Sequence, residues 1–276
     1  MAYDDLEVMK VTAAGGVVRA VIDHPPINLL DLPLMLELDR LGKAVEEDAE
    51  AKVLVLSSAD EQFFIAHADV NLILGLPRED RTAPNDTLGF FHAMVDRFRT
   101  MPKATIAVIE GRVRGGGSEL VSSMDMRLAD VDRAILGQPE VALGIIPGGS
   151  GTQRLPLLVG RARALEVMLG CGDVDAATAE QWGWVNRALP SHELHAYVDD
   201  LATRIASFPS GAIAAAKASA NNALPDPVPG LCAEEWLFSR TLLDAQTIAR
   251  MQLFLEIGGQ TREAERDLTG LYKSFS

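Results

Sequence analysis

Apolar positions in the first half of the chain follow two rhythms. Val17–Ile22, Val53–Ser58 and residues 105–110 are short runs rich in β-branched and aliphatic residues, which predict strands. The last two are near-continuous, the pattern of strands buried on both faces. Residues 32–48 and 90–101 instead carry apolar side chains at three- and four-residue spacing, which predicts helices. Pro33 stands near the start of the first one, where a missing N–H is harmless. Asp23-His24-Pro25-Pro26 breaks the chain after the first strand.

Beyond residue 115 the pattern predicts a short helix over 119–124 and two short strands, 126–129 and 134–137, around a turn at 130–132. Helical spacing then dominates, over 161–169, Ala176–Trp182, 193–207, 211–223 and a single long segment, 233–257. Strand–helix alternation followed by helices predicts an α/β fold. We expect a core over residues 1–205 and a helical C-terminal region over 206–276. Residues 77–86, polar with Pro77 and Pro84, are a candidate mobile flap. Residues 225–230, with three prolines, read as a hinge before the long helix.

With 276 residues, 48% of them hydrophobic, the chain can bury a sizeable core. Against 39 acidic side chains stand 25 basic ones, a formal charge of −14. Such a surface argues against nucleic-acid or anionic-membrane partners, whose binding rests on Lys and Arg. No apolar run approaches the length of a membrane span, and the acidic N-terminus lacks a signal-peptide profile. Two cysteines, Cys171 and Cys232, are too few for a disulfide framework, and no metal-type Cys/His spacing occurs. These features predict a cytoplasmic protein that binds no metal.

Chemistry concentrates in two glycine-rich stretches. Gly115-Gly116-Gly117-Ser118-Glu119-Leu120 follows a predicted strand and opens a predicted helix. Gly137-Gln138-Pro139-Glu140 leads into Gly144-Ile145-Ile146-Pro147-Gly148-Gly149-Ser150-Gly151-Thr152-Gln153-Arg154. Glycines let a backbone approach a ligand and present its amides, and a helix N-terminus adds partial positive charge. Glutamates beside such turns can move protons. Tight helix–sheet packing and surface or capping carboxylates are the plainer readings of the same residues.

These two stretches, together with residues 103–111, Phe63-Phe64-Ile65-Ala66-His67-Ala68-Asp69-Val70 and residues 170–189, resemble the enoyl-CoA hydratase (crotonase) superfamily, in order over roughly residues 15–225. The resemblance implies a spiral of ββα turns, assembly as a homotrimer or as a hexamer made of two trimers, and an acyl-CoA thioester as substrate, with no cofactor beyond the coenzyme A it carries. The thioester oxygen would sit on the backbone N–H groups of Ala68 and Gly116, where losing one donor costs about 3 kcal/mol. Glu119 would activate water and Glu140 would handle the proton at the α-carbon. Isomerases of the family usually keep only the second carboxylate, so Glu119 favours hydration of a 2-enoyl-CoA to the 3-hydroxyacyl-CoA. Isomerisation, thioester hydrolysis and a non-catalytic acyl-CoA- or RNA-binding module are the alternatives on the same fold.

The substrate-binding candidates are His67, Ala66, Leu72, Leu143 and Gly148. His67 stands where the family usually has Gly, and reads either as a side chain beside the thioester or pantetheine arm or as a solvated loop residue. Leu72, Ile73, Leu74 and Leu76 line an acyl pocket or simply pack, and Trp236 and Phe238 share that ambiguity. The basic residues expected to hold the coenzyme phosphates are missing, leaving His24, Lys103 and Arg262 as candidates. Arg154 is expected to make a structural ion pair.

Overall fold

The computed structural model describes Tyr3 and residues 5–273. Two sheets share the chain turn by turn. The larger has six strands, in the order β1 (Met9–Ala14), β2 (Val17–Ile22), β3 (Val53–Ser58), β5 (Ala104–Ile109), β7 (Met126–Asp130) and β10 (Arg187–Leu189). All pairs are parallel except β1 with β2. The smaller runs β4 (Phe63–Ile65), β6 (Arg112–Arg114), β8 (Ile135–Gly137) and β9 (Val174–Asp175), with only the last pair antiparallel. After β3, β5 and β7 the chain steps across to β4, β6 and β8 and returns through a helical segment. That is the expected spiral of ββα turns.

The continuous apolar runs are explained by cover on both faces of the large sheet. Leu54 and Leu56 of β3 face the main core with Leu34, Leu38 and Leu41 of α1 (Leu32–Glu47) and Phe98 of α3 (Phe90–Thr100). Val53 and Val55 point the other way, onto Leu194, Val198 and Ala202 of α8 (Ser191–Ala206). Alternate residues of one strand therefore enter two cores, each buried aliphatic side chain contributing about 1.5–3 kcal/mol.

Between these lie α2 (Val70–Leu74), α4 (Gly116–Ser123), α5 (Gly151–Val159), α6 (Arg161–Gly170) and α7 (Ala176–Trp182), with a 3-10 turn over Glu140–Leu143. The C-terminal helices are α9 (Ser210–Asn221), α10 (Val228–Thr241), α11 (Ala245–Glu256) and α12 (Leu268–Tyr272), with a 3-10 turn over Ala264–Arg266. The single long helix expected over 233–257 is two helices. Asp244 breaks it by accepting the Gln246 N–H at the start of α11, since a short acidic side chain serves better as a cap than in a helix interior. The proline-rich hinge is shorter than expected, because α10 already begins at Val228 with Pro229 in its first turn. Residues 77–86 form an irregular connection, tied to α10 by Trp236 Nε1 donating to the Arg81 carbonyl at 2.8 Å and by the Arg240–Asp80 ion pair.

Candidate active site

The turn from β6 into α4 is set by Gly115. Its φ of +50° and ψ of −130° belong to a region that side-chain-bearing residues avoid. A Cβ there would lie 2.8 Å from Glu140 Oε1 and 3.3 Å from His67 Cβ. One bend thus brings the first glycine motif against the second and against the loop after β4. Next to it, Gly116 opens α4, and a Cβ on it would approach Leu30 at 2.8 Å and Ala68 Cβ at 3.5 Å. Ala68 and Gly116 are therefore neighbours. Among the described residues, neither backbone N–H donates to a protein acceptor, so two adjacent donors stay open to a ligand oxygen.

Both amides border a cavity of about 490 Å³, which Glu119 and Glu140 also line. Its walls are mostly apolar, from Leu32, Met35, Leu72, Ile145, Phe238 and Leu242 among others. Polar groups at one end of an apolar pocket suit a ligand with a reactive head and a hydrocarbon tail.

Glu119 is buried in the first turn of α4. Its Oε1 accepts the N–H groups of Gly149 and Gly151 at 2.7 and 2.8 Å. Gly149 must be glycine, since a Cβ would lie 2.2 Å from Phe91 Cε1 and 2.5 Å from Glu119 Oε2. Burial, followed by the negative charge of Glu234, lifts the Glu119 carboxyl from 4.5 to about 7, against the lowering effect of the two N–H bonds. Glu140 is buried across the cavity. Burial first, then Glu119, push its carboxyl well above the ordinary range. With its amide nitrogen turned toward the carboxylate, the orientation that gives both groups partners, Gln138 donates to both Glu140 oxygens at 3.1 Å. Two buried carboxylates on one mostly apolar cavity, one better supplied with donors than the other, can hold one proton between them and pass it to a bound molecule.

Leu72 and Gly148 border the cavity, as do Ile73, Leu76 and Phe238. Ala66 and Leu143 are packed into the interior away from the cavity, Ala66 with Ile27 and Phe63 and Leu143 with Val70 and Phe254. His67 is neither solvated nor turned to the cavity. It is 5% exposed, with Nδ1 2.7 Å from the Ala68 carbonyl and Nε2 2.9 Å from Glu265 Oε1 in the C-terminal 3-10 turn. Its backbone φ is not positive, so an imidazole-bearing residue fits this loop without glycine.

The basic candidates are occupied within the protein. Lys103 Nζ donates to the carbonyls of Asp48 and Ala51, Arg262 pairs with Asp60, and His24 Nε2 lies 2.7 Å from Asp31. Arg154 makes the expected ion pair, with Asp96 at 2.5 Å. Among the described residues no group of three or more His, Cys, Asp or Glu could hold a metal ion, and no helix is long and apolar enough to cross a membrane.

Sequence reasoning missed Glu234 and His92. Both are buried, 3.0 Å apart, and His92 borders the cavity.

Comparison with known proteins identifies the family. The family described as Enoyl-CoA hydratase/isomerase matches residues 12–261. A solved Streptomyces avermitilis structure, of a protein provisionally assigned as an enoyl-CoA hydratase, superposes with a TM-score of 0.89 at 40% identity, covering 97% of this chain and 98% of that one. Among curated proteins, the crotonyl-CoA hydratase of Syntrophomonas wolfei is 34% identical over 81% of this chain and 84% of its own length. The short-chain-enoyl-CoA hydratase of Clostridium acetobutylicum is 32% identical over 76% and 79%. With a family match spanning most of its length and a spiral fold carrying two glutamates on glycine-rich turns, this chain belongs to the enoyl-CoA hydratase/isomerase family.

Proposed function

We propose that this protein is a hydratase that adds water across the double bond of a 2-enoyl-CoA thioester to give the 3-hydroxyacyl-CoA. The observation that carries the reading is a single cavity bordered by two buried glutamates and two open backbone amides. The thioester carbonyl accepts from the N–H groups of Ala68 and Gly116, which stabilise the charge that builds on its oxygen as the enolate forms. Glu119, whose Oε1 is fixed by two N–H bonds, takes a proton from water with the other oxygen while the water oxygen bonds to C3. Glu140, the carboxyl held further toward its neutral form, delivers a proton to C2. One O–H bond of water breaks, C–O and C–H bonds form, and proton exchange between the carboxyls restores the pair. Every group in this scheme is a side chain or backbone amide of the chain, and coenzyme A enters with the substrate.

The same reading assigns residues 206–276 to covering the site and to homotrimer or hexamer contacts. It is supported by the contribution of Glu235, Phe238 and Leu242 to the cavity wall. Two free cysteines suit a reducing cytoplasm.

The test is loss of the conjugated-thioester absorbance when the protein meets crotonyl-CoA, with product identification to separate hydration from isomerisation and hydrolysis. Glu119→Gln and Glu140→Gln should each lower turnover by about 10²–10⁴-fold, the range typical of a lost acid or base. Full activity in either variant, or no hydration of any 2-enoyl-CoA by the unaltered protein, refutes the assignment.

A further inference from the structure

Glu234 belongs to neither glycine motif, yet it grips the same turn as Glu119. The first N–H groups of a helix have no partner within it. At the start of α5 four consecutive amides are divided alternately between two carboxylates. Gly149 and Gly151 donate to Glu119 Oε1; Ser150 donates to Glu234 Oε1 at 2.5 Å and Thr152 to Glu234 Oε2 at 2.8 Å. The Thr152 hydroxyl also bonds Oε2, and His92 Nε2 lies 3.0 Å from Oε1. Glu234 is 1% exposed and accepts both backbone N–H groups and the Thr152 hydroxyl. Ser150, whose N–H it holds, sits at φ +109°, a conformation side-chain-bearing residues avoid.

We propose that Glu234, paired with His92, is a positioning residue for Glu119: it locks the turn whose amides fix Glu119 Oε1 and places a second buried carboxylate on that same turn, beside the group that takes a proton from water. This rests on the hydration reading for its catalytic meaning. Two charged or titratable side chains act on Glu119, the acidic Glu234 from α10 and His92 from α3, while Glu140 from the 3-10 turn borders the same cavity. After burial, Glu234 is the largest influence raising the Glu119 carboxyl, and His92 acts in the opposite direction. The pair thus works as an adjustable counterweight. Glu234 sets the basicity of Glu119, and His92 limits how far it rises.

Opposite-signed variants test this. Glu234→Gln keeps the shape and removes the charge; His92→Gln removes the imidazole and leaves the charge. The titration of Glu119 is read in the resting protein from the infrared carboxyl band that disappears in Glu119→Gln, so no turnover is required. Glu234→Gln should move that titration, and the acid limb of the kcat/KM profile with it, to lower pH by on the order of tenfold in proton affinity. His92→Gln should move both to higher pH. A purely structural role would lower kcat at all pH values without moving the limb. A titration that stays put in both variants, or moves the same way in both, overturns the proposal. If Glu234→Gln does not fold, His92→Gln decides alone, an upward move supporting the pairing and an unmoved titration overturning it. Opposite shifts in a protein that hydrates no enoyl-CoA would support the pairing while sinking the hydration reading.

Discussion

Placing Glu119 where it can act as a base should destabilise the fold, and the effect is large enough to measure. In the unfolded chain this carboxyl ionises near 4.5, whereas in the folded protein it holds its proton to about 7. Between those values the folded state binds more protons than the unfolded state, so stability falls as pH rises through the window. The displacement from 4.5 to about 7 corresponds to about 3 kcal/mol, at ~1.4 kcal/mol per tenfold change in proton affinity. Glu119→Gln cannot titrate, and its amide oxygen can still accept from Gly149 and Gly151. It also relieves Glu140, on which Glu119 is the largest upward influence after burial. The variant should therefore be more stable than the unaltered protein, by about 1 kcal/mol near pH 5 and about 3 kcal/mol near pH 8. Urea denaturation of both proteins at the two pH values measures the gap. A gap that does not widen with pH, or a variant less stable near pH 8, would refute the reasoning about how this carboxylate is held.

His67 should show the reverse dependence. Burial opposes its protonated form, but the Glu265 carboxylate outweighs burial and raises its pKa above 6.5. Its contribution is fully present below 6.5 and is lost as pH rises through the folded value. His67→Gly should thus cost most stability in acid and less in alkali, and denaturation at the two extremes showing a constant difference would refute this. Leu72→Trp should narrow the cavity, leaving crotonyl-CoA turnover nearly unchanged while kcat/KM falls as the acyl chain lengthens. At about 1–3 kcal/mol per misfitted methylene, the loss should reach tenfold or more within a few carbons, and a uniform loss at every chain length would place Leu72 away from the tail.

The parts of the fold legible in the sequence were those with a local signature. Strands β2, β3 and β5 announced themselves because cover on both faces makes most of their positions apolar. β4 and β6, three residues each, are too short to display a period, and exposed edge strand β1 mixes Lys10 and Thr12 into its run. α5 was hidden because its first turn, Gly151-Thr152-Gln153-Arg154, reads as loop, and Pro156 interrupts its interior. At the site, the glycine motifs pointed to Glu119 and Glu140. Glu234 and Glu265 reach their partners from 84 and 198 residues away, to Ser150 and His67 respectively. No local rhythm encodes such a meeting. The placement of His67 follows the same logic, because only the returning C-terminal segment supplies the carboxylate that draws its ring inward.

Two carboxylates bordering one cavity, Glu119 and Glu140, need a reason not to share the same protonation state, and the supply of N–H donors provides it. Burial pushes each of them toward the neutral form, and hydrogen bonds from N–H groups pull toward the charged form. Glu119 receives two backbone amides, whereas Glu140 is met by the side-chain amide of Gln138. Backbone donors to the ionised form thus favour Glu119 over Glu140. Under the proposed mechanism, that difference assigns the roles: Glu119 is the carboxylate that can accept a proton from water, and Glu140 the carboxyl that retains one to give to carbon. Gln138→Leu, which removes the donor facing Glu140, should raise that carboxyl further and slow its delivery of a proton to C2, seen as a lower kcat with little change in KM. An unchanged kcat would mean that Gln138 does not tune Glu140.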